Sequence, residues 1–403
     1  MFKIGKFRKV YTGSVKNLRA VKKPTATKPG VFLFEFTDDY SIFDYGKMPD
    51  TIPGKGAAMA MGAAYFFESI EDPKSWQALE DSKVWNKLRI KAFRDELKNG
   101  ETFAKLKETG MPTHYRGLID PETGKRVRLA ELTRISNLLE VDAANIVHPV
   151  PMFFQGTQIW NYNHFTTGMK NYLVPLECIF RFGAPKGSSL FKRLKNPGYL
   201  EKLGLTKEPK PGDWLTRPVV EYSSKLEPSD RMLDFELALN LSGLTNEQYQ
   251  QLYDYTVLAA LFLMEIYSKA KMTLWDGKFE FLMTSRGLTL ADSITPDELR
   301  LTHKGVQISK EPLRQYYTKY HTDFTEAMDK AKEIAKKSKE QKSLREIVCE
   351  DLKCPPPALD PEFRAAVSDM YTGLTAEISG SKLFGDVQPL SGVLKAFRKF
   401  GIA

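Results

Sequence analysis

The chain has 403 residues, of which 42% are hydrophobic, 27% charged and 12% aromatic. These values are typical of soluble globular proteins, they suit two or three domains, and they exclude a chain that is disordered throughout. The formal charge of +9 indicates either a basic surface or a phosphate-rich partner, and it does not choose between the two.

Cysteine usage and apolar runs indicate the cellular setting. The three cysteines show no metal-ligand spacing and no disulfide framework, so free thiols in a reducing compartment are expected. The opening MFKIGKFRKV contains no signal-peptide run, and the longest apolar run, TVLAALFLMEIY, is about half of a membrane span. We therefore expect a soluble, cytoplasmic protein that has no membrane partner.

The first part of the chain predicts strands followed by helices. VFLFEF (31–36) is rich in β-branched and aromatic residues and predicts a strand, whereas the Pro- and Gly-containing segment 39–56 predicts a loop. AAMAMGAAYFFESI then predicts a helix. The charged segment 69–110 has helical periodicity, with Gly100 as a candidate C-cap.

The second part mixes both element types. NYLVPLECIFRFG (171–183) predicts one strand, and LTNEQYQQLYDYTVLAALFLMEIYSKAKM predicts a long helix that begins with a capping box formed by Thr245 and Gln248. A lysine-rich helix is predicted over 323–347, and CPPPALDPEF ends it. Because strands and helices do not alternate regularly, the predicted fold class is α+β.

The stretch DGKFEFLMTSRGLTLADSI predicts a β-hairpin over 277–294. Its turn fits a three-residue loop, 285–287, in which Gly287 takes the left-handed position. The closing pair would then be Thr284 and Leu288. A loop of four residues would change the pairing, so the register depends on this turn.

In the predicted register Glu280 lies directly opposite Asp292, on the face that it shares with Lys278. The other face would direct three apolar side chains to the core: Phe279, Phe281 and Met283. Two facing carboxylates repel each other unless a proton or a cation lies between them, and oxygen ligands favour a hard cation such as Mg²⁺. The alternative is a solvated hairpin face on which Lys278 bridges the two acids.

Three further stretches are candidates for anion binding. In VPLECIFRFGAPKGSSLFKR, Arg181 ends an apolar strand before a Gly- and Ser-rich segment whose N–H and hydroxyl groups can approach an anion. TGSVKNL and TIPGKG are weak phosphate-loop candidates without the full glycine spacing. YSSKLEPSD places Lys225 and Asp230 in a polar loop. An ordinary basic loop or a surface turn is the alternative for each.

The histidines suggest no metal pair and no pairing with a nucleophile, so each is expected to be structural or exposed: His114, His148, His164, His303 and His321. No Ser–His–Asp or Cys–His arrangement is visible in the sequence either.

These stretches occur in the order of one family. TGSVKNL, SIFDYG…IPGKG, GMPTH, VPLECIFR…GSSLFKR, KLEPSD, DGKFEF, LADSITPDELR and SKEPLRQYY together resemble the SAICAR synthetases, the phosphoribosylaminoimidazole-succinocarboxamide synthases of purine biosynthesis. The resemblance covers roughly residues 8–68 and 105–325. DGKFEF followed by TPDELR is the specific part of the match.

The resemblance implies an α+β fold of two lobes, with an ATP cleft between antiparallel sheets flanked by helices, in an ATP-grasp or kinase-like arrangement. It places an N-terminal lobe at 1–173, with a helical insertion at about 69–104, and a C-terminal lobe with the substrate and metal sites at 174–325. Residues 326–403 would form a helical extension.

The implied activity is an ATP-dependent carbon–nitrogen ligase. It would join L-aspartate to the carboxylate of carboxyaminoimidazole ribonucleotide (CAIR), through an acyl phosphate, to give SAICAR, ADP and phosphate. ATP and Mg²⁺ are the implied cofactors. The expected partners are these small molecules and further copies of the chain, with neither nucleic acid nor membrane.

The resemblance also implies roles for individual residues. ATP would be bound by Gly13, Ser14, Val15, Lys16, Glu177, Glu280 and Asp292, of which Glu280 and Asp292 would ligate Mg²⁺. The catalytic residues would be Lys278, Asp276 and Arg300. Substrates would be bound by Asp44, Lys55, Arg181, Ser188, Ser189, Lys225, Asp230, Arg300, Lys310 and Arg314.

Two departures from the family pattern keep an alternative open. Ser14 stands where the family usually has lysine, and Ser293 stands where an acidic residue usually follows the metal aspartate. The chain could therefore bind nucleotide without catalysis and act as an interaction protein. A nucleic-acid-binding protein is the third hypothesis, and the lack of aromatics on the lysine-rich helix disfavours it.

Overall fold

The computed structural model describes residues 4–337 and 342–402. The strands of its first sheet are β1 (Arg8–Thr12), β2 (Lys16–Lys22), β3 (Gly30–Phe36), β4 (Tyr115–Ile119), β5 (Arg126–Val127) and β6 (Leu138–Ala143). They form an antiparallel sheet in the order β1-β2-β3-β6-β4-β5. The strand predicted at 31–36 is confirmed as β3, a central strand whose apolar side chains enter the core.

Four helices follow β3: α1 (Lys55–Glu71), α2 (Pro73–Glu80), α3 (Lys91–Asn99) and α4 (Glu101–Thr109). Of these, α1 packs against the sheet, and α2 and α3 pack beside α4. The predicted helix AAMAMGAAYFFESI is confirmed as most of α1, which is apolar on all sides because other elements surround it. Gly100 follows α3 as predicted, but its backbone is extended (φ −71°) because it also precedes α4.

A small hairpin, β7 (Val150–Phe154) with β8 (Thr157–Asn161), precedes the second sheet. The strands of that sheet are β9 (Tyr172–Leu173), β10 (Leu176–Ala184), β11 (Asp213–Ser224), β12 (Met232–Leu233), β13 (Met272–Thr284), β14 (Gly287–Ala291), β15 (Leu299–His303) and β16 (Val306–Ile308). Its order is β12-β11-β10-β13-β15-β16, and β9 and β14 both pair with β13. The site described below lies on this sheet.

The single strand predicted over 171–183 is wrong in one respect, because the structure divides it into β9 and β10. Val174 donates its N–H to the carbonyl of Phe281 (2.9 Å), and Pro175 follows with no N–H to donate. The interruption separates the short pairing of β9 with one end of β13 from the longer pairing of β10 with its middle.

The second sheet is backed by α5 (Leu190–Arg193), α6 (Tyr199–Lys202), α7 (Phe235–Ser242) and α8 (Asn246–Lys269). The capping box predicted for α8 is confirmed, since Thr245 and Gln248 each accept a hydrogen bond from the other's backbone. The apolar residues of α8 pack in the main core, which takes side chains from both sheets.

The C-terminal part contains α9 (Glu311–Tyr320), α10 (Thr322–Lys337), α11 (Leu344–Glu346), α12 (Pro361–Ser379) and α13 (Leu390–Lys399). The lysine-rich helix is confirmed over α10, while 338–341 lie outside the described residues. A π-helical turn, Ile347–Asp351, continues α11 past the predicted end of that helix. α12 lies along α1, where Thr375 Oγ1 donates to the carbonyl of Ala58 (3.0 Å).

Mixed helices and antiparallel sheets confirm the predicted α+β class. The boundaries at 173 and 325, the status of 69–104 as an insertion and the cytoplasmic location stay predictions. The cysteines are unpaired, as expected. Among the residues that the structure describes, no helix combines the length and apolar character needed to cross a bilayer.

Candidate active site

The turn between β13 and β14 is one residue shorter than predicted. Thr284 pairs with Gly287 rather than with Leu288, and Glu280 therefore pairs with Ala291. The Thr284 hydroxyl accepts the N–H of Arg286 (3.1 Å), which stabilises the tighter loop. The predicted register, with Glu280 directly opposite Asp292, is wrong.

The two carboxylates nevertheless meet, because the chain turns after β14. If side chains kept alternating along the strand, Asp292 would point to the face opposite to Glu280. Its backbone is left-handed, with φ of 60°, and this conformation turns its side chain back toward Glu280. Its carbonyl lies 2.9 Å from His114 Nε2. Burial lowers the pKa of His114 to about 4, so the ring is neutral and Nε2–H donates this bond. His114 is structural, as expected for the histidines.

The GMPTH segment holds the end of β14 in place. Leu290 donates its N–H to the carbonyl of Pro112 (2.8 Å) and accepts the N–H of His114 (2.9 Å). This segment belongs to the family resemblance, but no role was predicted for it.

Glu280 and Asp292 line one cavity of about 10 Å³, which is room for a single water-sized particle. The cavity wall is completed by Lys278, Phe279, Ala291, Ser293 and Glu298. Burial and then the charge of Asp292 raise the pKa of Glu280. Burial also tends to raise the pKa of Asp292. The positive charges of Lys16 and Lys225 lower it by more, so the pKa of Asp292 lies below its usual value.

Lysines from three separate elements neutralise this acidic pair and its neighbour Glu177. Lys16, the first residue of β2, forms an ion pair with Asp292. Lys225 Nζ lies 2.6 Å from Glu280 Oε1 and 3.2 Å from Glu177 Oε1. Lys278 Nζ lies 2.6 Å from the same oxygen of Glu177. The structure thus brings together the predicted residues of the first turn, the KLEPSD loop and β13.

The residues present fit a hard divalent cation. Glu280 Oε1 is buried and makes no hydrogen bond of ordinary geometry, although Lys225 lies within ion-pair distance. In residues 4–337 and 342–402, no cluster of three or more acidic, histidine or cysteine side chains could enclose a metal. A site with two carboxylates suits Mg²⁺, which usually keeps waters and phosphate oxygens as its other ligands.

A second row of charges crosses the sheet beside the first. Arg181, Asp276 and Arg300 are register partners on β10, β13 and β15. Arg181 donates to Glu221 of β11 (3.0 Å) and to Asp276 (2.9 Å), and Arg300 also donates to Asp276 (2.8 Å). Arg181 was predicted to grip a substrate anion. Its side chain is only 5% exposed and binds two protein carboxylates, so that role stays a prediction.

The GAPKGSS segment follows this row. Ser188 is buried, and its hydroxyl lies 3.5 Å from Arg181 Nη1, whereas Ser189 is exposed and accepts a hydrogen bond from Arg193 (3.0 Å). Arg193 and Tyr199 also bond to Glu221. Sequence reasoning missed these three residues, although the buried strand VVEYSS, with one acidic residue inside it, is a signal for Glu221.

The turn between β1 and β2 consists of Gly13, Ser14 and Val15. It is closed by a hydrogen bond from the N–H of Gly13 to the carbonyl of Lys16 (2.9 Å). The turn therefore lies next to the ion pair of Lys16 with Asp292. Direct contact of this turn with phosphates stays a prediction.

Other predicted substrate residues lie farther apart. Lys55 and Lys310 both approach Asp297, at 3.1 and 3.9 Å. The side chain of Asp44 is 83% exposed and lies 3.4 Å from Lys332 of α10. Asp230 is exposed in the loop between β11 and β12, and Arg314 pairs with Glu311 on α9 (3.3 Å). Arg314 is thus paired outside the two charge rows. Asp230 lies beside the first row, because burial and then the charge of Glu177 raise the pKa of its carboxyl, while Lys278 and Lys225 oppose this shift.

Comparison with known proteins identifies relatives along nearly the whole chain. The sequence model of the SAICAR synthetase family matches residues 5–331. The chain is 36% identical, over 390 residues, to a candidate phosphoribosylaminoimidazole-succinocarboxamide synthase of Archaeoglobus fulgidus, covering 96% of this chain and 99% of the relative. It is 25% identical, over 369 residues, to the phosphoribosylaminoimidazole-succinocarboxamide synthase of Thermoplasma volcanium, covering 87% of this chain and 93% of the relative.

A solved structure of SAICAR synthase from Saccharomyces cerevisiae, complexed with SAICAR, has the same fold. It superposes with a TM-score of 0.55 at 18% identity and covers 94% of this chain and 97% of that chain. The resemblance inferred from the motifs is confirmed by these matches.

Proposed function

The chain belongs to the SAICAR synthetase family, and we propose that it is the ATP-dependent ligase that joins L-aspartate to the carboxylate of CAIR. The observation that carries the proposal is the match to this family over residues 5–331, within which both charge rows lie. The arrangement supports phosphoryl transfer, which depends on positioning and charge neutralisation and needs no covalent nucleophile.

The proposed reaction has two steps. A carboxylate oxygen of CAIR bonds to the γ-phosphorus of ATP, the bond from that phosphorus to the bridging oxygen breaks, and an acyl phosphate and ADP result. The aspartate amine then bonds to the carbonyl carbon, the carbon–oxygen bond to phosphate breaks, and the nitrogen gives up its excess proton. Both steps involve anions at close range, so cationic side chains are required.

The row that contains Glu280 is proposed to receive the nucleotide phosphates. It combines the carboxylates of Glu177, Glu280, Asp292 and Glu298 with the ammonium groups of Lys16, Lys225 and Lys278. Four negative and three positive charges leave one net negative charge, which favours a divalent cation and disfavours a bare phosphate. Glu280 and Asp292 would hold Mg²⁺. The bound ion would neutralise charge on the phosphoryl group.

The row that contains Arg181 is proposed to bind the ribonucleotide. Three guanidinium groups, from Arg181, Arg193 and Arg300, face the two carboxylates of Glu221 and Asp276. Its net positive charge favours an anionic ligand. Lys278, a member of the row that contains Glu280, lies on β13 two residues from Asp276 and two from Glu280, on the same face of the strand. This position is suited to the carboxylate that is activated.

The alternative of nucleotide binding without catalysis is not favoured. Lys16 is present and paired although Ser14 replaces the usual lysine. Ser293 lies beside the same ammonium, with Oγ 3.4 Å from Lys16 Nζ. Neither departure removes a member of the two rows.

A turnover assay tests the proposal directly. Purified protein with ATP, Mg²⁺, CAIR and L-aspartate is expected to release ADP and form SAICAR, and omission of any one component should abolish product. A panel of other amino acids in place of aspartate defines the range of amine substrates. Protein that binds ATP but never turns over would contradict the ligase and favour the non-catalytic alternative.

A further inference from the structure

A buried charged cluster joins three distant parts of the chain. Lys55 begins α1, Asp297 lies between β14 and β15, and Tyr371 lies in α12. Lys55 Nζ is 3.1 Å from Asp297 Oδ2, and the two side chains are 1% and 2% exposed. Tyr371, also buried, donates its hydroxyl to the other oxygen of Asp297 (2.6 Å). The Lys55 ammonium lies 5.2 Å from the centre of the Tyr371 ring.

Tyr371 supplies the hydrogen bond that orients Asp297. Neither Lys55 Nζ nor Asp297 Oδ2 makes a hydrogen bond of ordinary geometry, although the two atoms lie within ion-pair distance. The ion pair with Lys55 alone does not fix the plane of the Asp297 carboxylate. The hydrogen bond that the Tyr371 hydroxyl donates to one carboxylate oxygen fixes that plane. The Tyr371 ring also covers the ammonium from the side of α12.

The segment around Asp297 connects this cluster to both charge rows. The next residue, Glu298, pairs with Lys278 (3.4 Å), and Arg300 donates to Asp276 (2.8 Å). A shift of Asp297 would therefore be transmitted along a few bonds of backbone to the partners of Lys278 and Asp276.

α12 also contacts the turn that precedes Lys55. Ser368 Oγ donates to the carbonyl of Pro53 (2.6 Å), and a Cβ at Gly54 would lie 3.1 Å from Thr372. Gly54 itself is left-handed, with φ of 76°. α12 lies beyond residue 331, where the match to the family model ends. This helix, in the predicted C-terminal extension, thus contributes a side chain to a cluster whose other two members lie within residues 5–331.

We propose that Tyr371 is a positioning residue for the ligation, which acts through Asp297 on Lys55 and on the segment from Asp297 to Arg300. The proposal rests on the ligase function inferred above. It gives the C-terminal extension a specific role in the reaction, beyond covering α1.

The test compares Tyr371→Phe, which removes only the hydroxyl, with the wild-type enzyme. The expected result is a fall of about tenfold in kcat/KM for CAIR, the loss that one charge-assisted hydrogen bond supports, with KM for ATP changed less than about twofold. Tyr320→Phe is the matched control. It removes an exposed hydroxyl that bonds to the carbonyl of Phe400 (3.0 Å) away from the cluster, and it should leave kcat/KM unchanged.

A double-mutant cycle with Asp297→Asn separates positioning from a general loss of stability. If Tyr371 acts through Asp297, the Tyr371→Phe change should cost less than about twofold in the Asp297→Asn background. Additive losses, an unchanged kcat/KM in Tyr371→Phe, or unfolding of that variant would each overturn the proposal. Absence of turnover in the wild-type protein would instead contradict the ligase function, so the two failures are distinguishable.

Discussion

Glu280 and Asp292 line one cavity, although the residue paired with Glu280 across the hairpin is Ala291. The left-handed backbone of Asp292 and the hydrogen bond from His114 to its carbonyl create this approach. The acidic pair is thus built by a local backbone conformation that a second segment of the chain stabilises.

Replacing either carboxylate by its amide should abolish metal-dependent turnover without unfolding the protein. Glu280→Gln and Asp292→Asn each keep the side-chain shape but remove an anionic ligand, and a loss of at least about 100-fold in kcat is expected. The measurement is ADP release as a function of Mg²⁺ concentration. Glu140→Gln is the control, because Glu140 pairs with Arg116 and Arg126 in the first sheet. Full activity of Glu280→Gln would refute the metal assignment.

Arg181 and Arg300 should differ in what their removal costs. Arg181→Ala removes the buried arginine that Glu221 and Asp276 share and leaves each carboxylate with one other arginine, Arg193 or Arg300. A loss of about 3 kcal/mol in the free energy of unfolding is expected, the lower end of the cost of breaking a buried ion pair. Arg300 is more exposed, and Asp276 keeps Arg181 when Arg300 is removed, so Arg300→Ala should cost less than about 1 kcal/mol.

The kinetic effect is easier to interpret for Arg300→Ala than for Arg181→Ala, because Arg300→Ala is expected to stay folded. Arg300→Ala is expected to raise KM for CAIR by about 10–100-fold in a folded enzyme, the value of one charge-assisted contact. Denaturant unfolding and initial-rate kinetics on the same samples provide both measurements. Equal destabilisation by the two variants would contradict the assigned partners.

Ser293→Asp should strengthen Mg²⁺ binding. The new carboxylate would lie beside Lys16 and the acidic pair, because Ser293 Oγ lies 3.4 Å from Lys16 Nζ. The Mg²⁺ concentration for half-maximal rate should fall by about tenfold, the scale of groups that support metal ligands. Ser285→Asp, in the exposed loop of the same hairpin, adds the same charge away from the cavity and should not change it. An unchanged Mg²⁺ dependence in Ser293→Asp would count against the site.

The stability of the protein should carry a pH dependence from Glu71, at the end of α1. Burial raises the pKa of this carboxyl above its usual value of 4.5, even though Thr113 bonds to it. A raised folded-state pKa contributes stability that is fully present below the unfolded-state pKa and is lost as pH rises through the folded-state value. Relative to wild type, Glu71→Gln should therefore become more stable as pH increases from about 4.

Thermal unfolding of both proteins over the acidic range measures this difference. Glu208→Gln, a change in an exposed loop residue, is the control for the loss of one carboxylate. A difference in unfolding temperature that stays constant with pH would show that the Glu71 carboxyl is not perturbed by folding.

Local sequence determined those helices and strands whose residues all favour the same secondary structure. The β-branched and aromatic run of β3, the capping box of α8 and the apolar run of α1 are each local patterns that agree with the fold around them. The alternation along β13 also separated the ionic face of Lys278 and Glu280 from the core side chains of Phe279 and Phe281. The family motifs then identified the chemistry.

The tertiary structure decided which of these residues meet. The hairpin register depends on one residue in a turn, and the pairing of Glu280 with Ala291 could not be distinguished from the alternative by period alone. The return of Asp292 to the cavity depends on His114, about 180 positions away in the chain. The contact of Tyr371 with Asp297 likewise joins segments that no local pattern relates. Spacing along the chain specifies secondary structure, whereas contacts between distant segments arise from the packing of the whole fold.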